Sequence, residues 1–418
     1  MAVVNRPTGT AAGIRLADFN FNNLELIKDP YPFYRYMLDH HPTYFSPVFG
    51  GTWMFFRYED ARSLLADQRL SSARADVPTR FLPPEDRAEF APMITLFEEW
   101  LAFFNRPAHT AFRRHMARVF ECLTEPNLTA LTERLVAELL EPLRGRREVD
   151  LMTEVAYPLP ALIICEALGI PRSEFKRLIE WSDAIAHIYA SSHLTIDELR
   201  HAQTSTFEYV EFLQGVTRMA AADGRQTLLS RAISMETDGF RLTERQINAQ
   251  CILLTFAGLE GARYVIGNGI LALHRHRAQY DLLRRQPELA ASAAEEFLRY
   301  DNPVQFISRV ARESFTYQGA EIRKGQVVLP YVGAANRDPA RFSDPDTLDI
   351  TRTNNRHLAF GHGPHWCIGA PMVQVQLRVL LEQLFSTFPE FHVRDDADLD
   401  WNTNLGFHGF RSLPIVFQ

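Results

Sequence analysis

The sequence predicts a mainly α-helical protein with small β-sheets. Helical hydrophobic periodicity runs almost unbroken from Pro107 to about Ala222, resumes from Leu242 to His274 and returns over Pro371–Phe388. Candidate strands are few and short. No internal repeat and no Ser/Gly-rich linker divides the chain.

In order, Asp29-Pro30-Tyr31-Pro32 opens a short helix carrying Phe33, Met37 and Leu38, with proline in its first turn. Thr52–Phe56 reads as a strand. The long helical region breaks near Glu125-Pro126, Arg144–Arg146 and Gly169–Pro171. Thr243 with Gln246 three residues later forms a capping-box pattern, and the helix it opens extends ~48 Å at 1.5 Å per residue. Its middle, Phe256–Arg263, holds Gly258, Gly261, Glu260 and Arg263 within an apolar run. Two readings stand there: tight helix packing with an i,i+3 ion pair, or close passage over something flat or bulky. Pro303–Val332 reads as short strands turning at Tyr317–Ala320, and Phe391–Gln418 as strands joined by turns.

Composition narrows the function. The 418 residues are 46% apolar and 23% charged, as in ordinary globular proteins, and the net charge of −7 disfavours a basic nucleic-acid binder. Cys122, Cys165, Cys251 and Cys367 form no CxxC pair, so neither a zinc ribbon nor a redox dithiol is indicated. Met1–Ala12 is polar and no stretch is apolar enough to span a bilayer, which predicts a cytoplasmic protein without membrane contact.

The segment Phe360-Gly361-His362-Gly363-Pro364-His365-Trp366-Cys367-Ile368-Gly369 leads directly into the last helix. Glycines let backbone approach a ligand, and a helix N-terminus stabilises a thiolate. Three readings compete. Zinc ligation by His362, His365 and Cys367 is cramped and lacks a fourth ligand. The others are a structural turn with an inert cysteine and thiolate ligation of a haem iron.

This segment resembles the haem-binding signature of the cytochrome P450 family at Phe360, Gly363, His365, Cys367 and Gly369. Glu296-Phe297-Leu298-Arg299 resembles its Glu-x-x-Arg motif, with Arg352 as third member of the brace. His109–Arg113 resembles its His-Thr-x-x-Arg segment. The match runs from about Asp29 to the C-terminus in the layout of soluble bacterial members. It implies a single P450-type domain over 1–418, with 1–20 as a flexible arm and the long helix crossing haem b (iron protoporphyrin IX). Cys367 is then the axial thiolate and the metal's protein ligand. His109, Arg113, Arg309 and His365 match positions that hold the haem propionates.

The same resemblance implies monooxygenation of a small, largely apolar or aromatic natural-product-type molecule. The stretch Asp76–Phe104, with Phe81, Phe90, Met93, Phe97, Trp100, Phe103 and Phe104, would overlie the haem. Leu259, Val304, Phe306 and Phe407 would line the cavity, and Ala186–His193 would be its lid. Electrons would come from a ferredoxin and its reductase, since no flavin or nicotinamide fingerprint occurs here. Arg113, Arg114, His115 and Arg118, with Arg352 and Arg356, form a candidate docking face or a solvated helix face. The protein is expected to act as a monomer.

One position departs from the pattern. Where the family usually has threonine, holding the proton-delivering water, this chain has Gly261, next to an acidic Glu260. The acid does not replace the hydroxyl, because its side chain leaves the helix roughly 100° away. Proton delivery assisted by a substrate polar group or an extra water is one explanation. The alternatives are a peroxide-dependent enzyme or an oxidase that does not insert oxygen. Arg263 invites the peroxide reading, though the Arg-Pro pair of peroxide-using relatives is missing. A haem protein that binds a ligand without turnover is the alternative from another class.

Overall fold

The computed structural model describes residues 24–47, 51–80, 82–191, 194–224, 226–394, 399–403 and 405–418. The expected N-terminal arm, Phe81, Ser192 and His193 therefore lie outside the described residues.

Helices dominate. They are α1 (Leu24–Lys28), α2 (Tyr31–His40), α3 (Tyr58–Ala66), α4 (Pro84–Phe97), α5 (Ala108–Phe120), α6 (Glu125–Leu140), α7 (Pro158–Leu168) and α8 (Phe175–Ala190). Then follow α9 (Ile196–Asp223), α10 (Leu228–Ser234), α11 (Glu244–Arg275), α12 (Arg277–Arg285), α13 (Ala290–Tyr300), α14 (Val332–Ala335) and α15 (Ala370–Thr387). The strands are β1 (Thr43–Ser46), β2 (Thr52–Phe55), β3 (Leu70–Ser71), β4 (Glu148–Asp150), β5 (Arg309–Ala311), β6 (Phe315–Tyr317), β7 (Ala320–Ile322), β8 (Val327–Pro330), β9 (Phe391–Val393) and β10 (Pro414–Phe417).

One sheet has the order β1-β2-β8-β5-β3, with β2 and β8 parallel, and a second has the order β4-β10-β9. A small apolar cluster of Phe33, Tyr34, Met37, Met54, Phe56 and Tyr331 ties α2 to the first sheet. The main core surrounds α11, which packs on α7, α8 and α13.

The 32-residue α11 begins as its sequence predicts: Thr243 Oγ1 accepts from the Gln246 N–H, and Gln246 Oε1 accepts from the Thr243 N–H at 3.1 Å. The expected breaks at 144–146 and 169–171 are present, the second through Gly169 at φ +75°. The break near Glu125-Pro126 is present too, between the end of α5 at Phe120 and the start of α6 at Glu125, where Thr124 caps the helix and proline suits its first turn. Two features of the 107–222 region differ from the continuous helix expected. A second Thr capping box at Thr195 and Glu198 separates α8 from α9. Strand β4 forms because β10, over 260 residues away, supplies its hydrogen bonds.

Candidate functional site

The cysteine loop is built on tight backbone. Gly361 and Gly363 both have φ +73°, and a Cβ on Gly363 would lie 3.1 Å from the Ala66 side chain of α3. The Cys367 N–H donates to Phe360 O at 2.9 Å, closing the loop. Burial pushes the Cys367 thiol up, while the N–H groups of Gly369 and Ala370 and the Arg113 charge pull it down. The sulfur thus sits on donor N–H groups at the start of α15, as a thiolate ligand requires.

The preceding loop is held by one buried carboxylate. Glu296 and Arg299 share a face of α13 and are both fully buried, paired at 2.7 Å. Arg352 Nε reaches Glu296 at 3.2 Å, and Asn355 and the Asp349 N–H donate to the same group. Arg299 also donates to the carbonyls of Asn336 and Pro345. Helix α13, the end of α14 and the stretch 345–355 are thereby fixed around a single charge network.

Beside the cysteine loop the structure gathers unbalanced positive charge. The rings of His109 (α5) and His365 are 4.0 Å apart, and His109 Nε2 is buried without a partner. Arg113 Nη2 donates to Trp366 O at 2.7 Å, and Arg309 on β5 donates to Ser308 O. A third guanidinium, Arg74, comes from the loop after β3 and donates to Ser72 O, while the Ser72 hydroxyl lies 3.1 Å from His365 Nε2. Among the described residues none of these arginines has a carboxylate partner. Desolvation lowers Arg309 to about 9 and Arg74 to about 10. Desolvation and the surrounding cations lower His109 to about 4 and His365 to about 2. Cations this dehydrated call for anions. Two carboxylates beside a thiol on a helix N-terminus are what a haem and its propionates provide, so the residues present fit that group.

On the other side, α11 opens. Ala257 is exposed in the middle of the helix and Gly261, one turn on, is partly exposed. A Cβ on Gly261 would meet nothing within 4 Å, whereas one on Gly258 would lie 2.8 Å from Ile164 of α7. Of the two glycines, one is there for packing and the other faces open space.

Glu260 turns away from that space. It is 1% exposed, pairs with Arg263 at 2.7 Å and accepts from Ser182 Oγ of α8 at 3.2 Å. Arg263 continues to Asp183 at 2.7 Å and lies over the rings of Tyr157 and Tyr264. Burial pushes the Glu260 carboxyl up, against the pull of Arg263. These groups border a pocket of about 350 Å³ shared with His187, Asn402 and Arg411. The ion-pair reading of Glu260 and Arg263 and the close-passage reading of this helix both hold, on different faces.

The expected substrate wall divides. Phe97, Trp100, Tyr189, Phe256 and Phe407 form a run of ring contacts from α4 across α8 and α11 to the C-terminal loop. Val304 bridges to Phe407 by backbone. Leu259 does not belong to this wall: it is 1% exposed, and at 100° per residue it points opposite to both Ala257 and Gly261. Phe306 rests on Tyr331 at 5.4 Å, with the sheet-side cluster. His115 is fully buried against Thr237, so it leaves the candidate docking face. Most of the expected lid is simply the end of α8, where His187 pairs with Glu198.

Arg74 went unread as a site residue, whereas Tyr189 was expected only within the lid and Ala257 only within the segment around Gly261. Arg74 sits in a short polar stretch with no periodicity, and only the fold brings it to His365 and Arg309. A one-turn count back from Gly261 was a signal that would have found Ala257.

Comparison with known proteins agrees with this geometry. The family model described as "Cytochrome P450" matches residues 272–408. The polyketide biosynthesis cytochrome P450 PksS of Bacillus subtilis (strain 168) is 31% identical over 88% of this chain and 90% of its own length. The biotin biosynthesis cytochrome P450 of the same organism is 30% identical over 94% of this chain and 98% of its own. Among solved structures, P450BioI in complex with a hexadec-9Z-enoic acid-ligated acyl carrier protein has a TM-score of 0.86 at 28% identity, over 94% of this chain and 100% of that one. CalO2 has a TM-score of 0.85 at 27% identity, over 96% and 98%. With its cysteine loop, buried brace and cationic cluster, and with these relatives, the chain belongs to the cytochrome P450 family and is a haem-binding oxidoreductase.

Proposed function

We propose that the enzyme is a monooxygenase tailoring a small, largely apolar or aromatic natural-product-type molecule, with a proton relayed through the substrate or a water beside Gly261. The observation that carries this is the open space at Gly261, where the helix offers no hydroxyl and a Cβ would have no neighbour. Bound haem supplies the activation of O2. The chain's own residues supply the rest. Cys367 would ligate the haem, His109, Arg113, Arg309 and His365 would orient it, the aromatic run excludes water, and Glu260, paired with Arg263, can take up and pass on a proton at the polar pocket. Relatives named for polyketide and biotin biosynthesis support a biosynthetic role.

Electrons come from a ferredoxin and its reductase, docking on a face with exposed Arg114, Arg118 and Arg356 and with Trp366, 44% exposed, next to the cysteine. The enzyme works as a cytoplasmic monomer, one domain over 1–418. A second reading, an oxidase that does not insert oxygen, rests on the same missing hydroxyl. The test is coupling of electron consumption to product. A substrate analogue lacking its polar group is expected to uncouple the enzyme, and unchanged coupling would sink the substrate-assisted relay.

A further inference from the structure

We propose that Arg74 anchors a carboxylate on the substrate, so that the enzyme takes a free acid with an apolar or aromatic body. This rests on the haem-thiolate reading above and goes beyond it by naming the substrate class.

The first ground is a count of charges. Three guanidiniums, those of Arg74, Arg113 and Arg309, converge on the site without a carboxylate partner among the described residues. His109 and His365 lie beside them with ring centroids 4.0 Å apart and add further polar groups. A haem brings two propionates. One guanidinium is left over, that of the half-buried Arg74, and a partly desolvated cation with no carboxylate beside it offers a place to an anion.

The second ground is position. Arg113 lies against the cysteine loop and Arg309 on β5, whereas the Arg74 guanidinium carbon lies 4.8 Å over the Phe103 ring. Phe103 packs on Trp100 at 5.2 Å and on Tyr189 at 5.7 Å. The Tyr189 hydroxyl donates to Ala75 O at 3.1 Å, joining the loop of Arg74 to α8. The surplus cation therefore belongs to the aromatic wall.

The third ground is independent of arginine. Trp100 is 1% exposed and its indole Nε1 is buried with no acceptor. One wall thus carries a guanidinium without a carboxylate partner among the described residues and an indole N–H without an acceptor. A carboxylate accepts from either kind of donor, and its planar oxygens suit a guanidinium fork.

The test is a spectral titration of the haem-loaded enzyme with ω-phenylhexanoic acid and with its primary amide. The wild type should bind the acid about tenfold or more tighter than the amide, the range of a charge-assisted hydrogen bond. Arg74→Gln should abolish that preference while keeping amide affinity and haem content, and Arg74→Lys should restore part of it. No acid preference in the wild type overturns the proposal. So does an Arg74→Gln enzyme that loses haem or shifts its reduction potential with the acid-to-amide ratio unchanged, since Arg74 would then serve a propionate. Failure of the haem-thiolate reading shows separately, as a reduced carbon-monoxide complex without the thiolate signature.

Discussion

Gly261 carries no hydroxyl into the site, and the space beside it is open. Gly261→Thr is therefore expected to fold normally and to raise coupling with substrate analogues that lack a polar group, read as product formed per electron pair consumed. Glu260 is a different case, because its carboxyl is enclosed by Arg263 and Ser182. Glu260→Gln removes a proton carrier while keeping shape, so turnover should fall by roughly tenfold to a hundredfold with haem content unchanged. A solvent isotope effect larger than that of the wild type would assign the loss to proton delivery. At this scale the cysteine loop was legible, since its chemistry is local: glycines, a thiol and a helix start within ten residues. Arg74 was not, because its meaning comes from Phe103, Tyr189 and Arg309, which the fold alone makes its neighbours.

Helix α11 shows how one residue type serves two purposes. A Cβ at Gly269 would fall 2.1 Å from the Phe297 ring of α13, but one at Gly261 would meet no atom within 4 Å. Gly269→Ala should thus destabilise by about 1–3 kcal/mol through overpacking, while Gly261→Ala should stabilise by up to ~1 kcal/mol through helix propensity. Opposite shifts of the thermal midpoint would confirm the contrast, and a drop for both would contradict it. The span and start of α11 were legible from its capping box, which is a short-range signal. The placing of Leu259 in the pocket failed for a reason of phase. Periodicity identifies an apolar helix, yet which of its faces meets the opening depends on where α7 and α8 pack. Strand β4 was illegible in kind, because a three-residue strand exists only through its partner in β10.

Across the whole molecule, distant segments converge on the site: α5, the loop after β3, α11, α13, β5 and the cysteine loop. The Glu296 carboxylate ties α13 to the stretch before the cysteine loop, with Arg299 and Arg352 as its partners. Glu296→Gln leaves Arg299 buried without its counter-charge, so a loss of about 3–5 kcal/mol and poor haem retention are expected, measurable by denaturant unfolding and by haem content. On the exposed side, reversing charge at Arg118 and Arg356 should slow reduction by an acidic ferredoxin at low ionic strength, and the difference should fade as salt rises. The helical architecture and the order of the motifs along the chain were legible in the sequence, whereas the convergence of unpaired cations was a property of the assembled fold. All of these expectations depend on Cys367 donating a thiolate to haem iron. The carbon-monoxide difference spectrum of the reduced protein tests that directly: the account predicts the long-wavelength Soret band of a thiolate-ligated haem, abolished in Cys367→Ala, and a band at the position of a histidine-ligated haem in the wild type would contradict it.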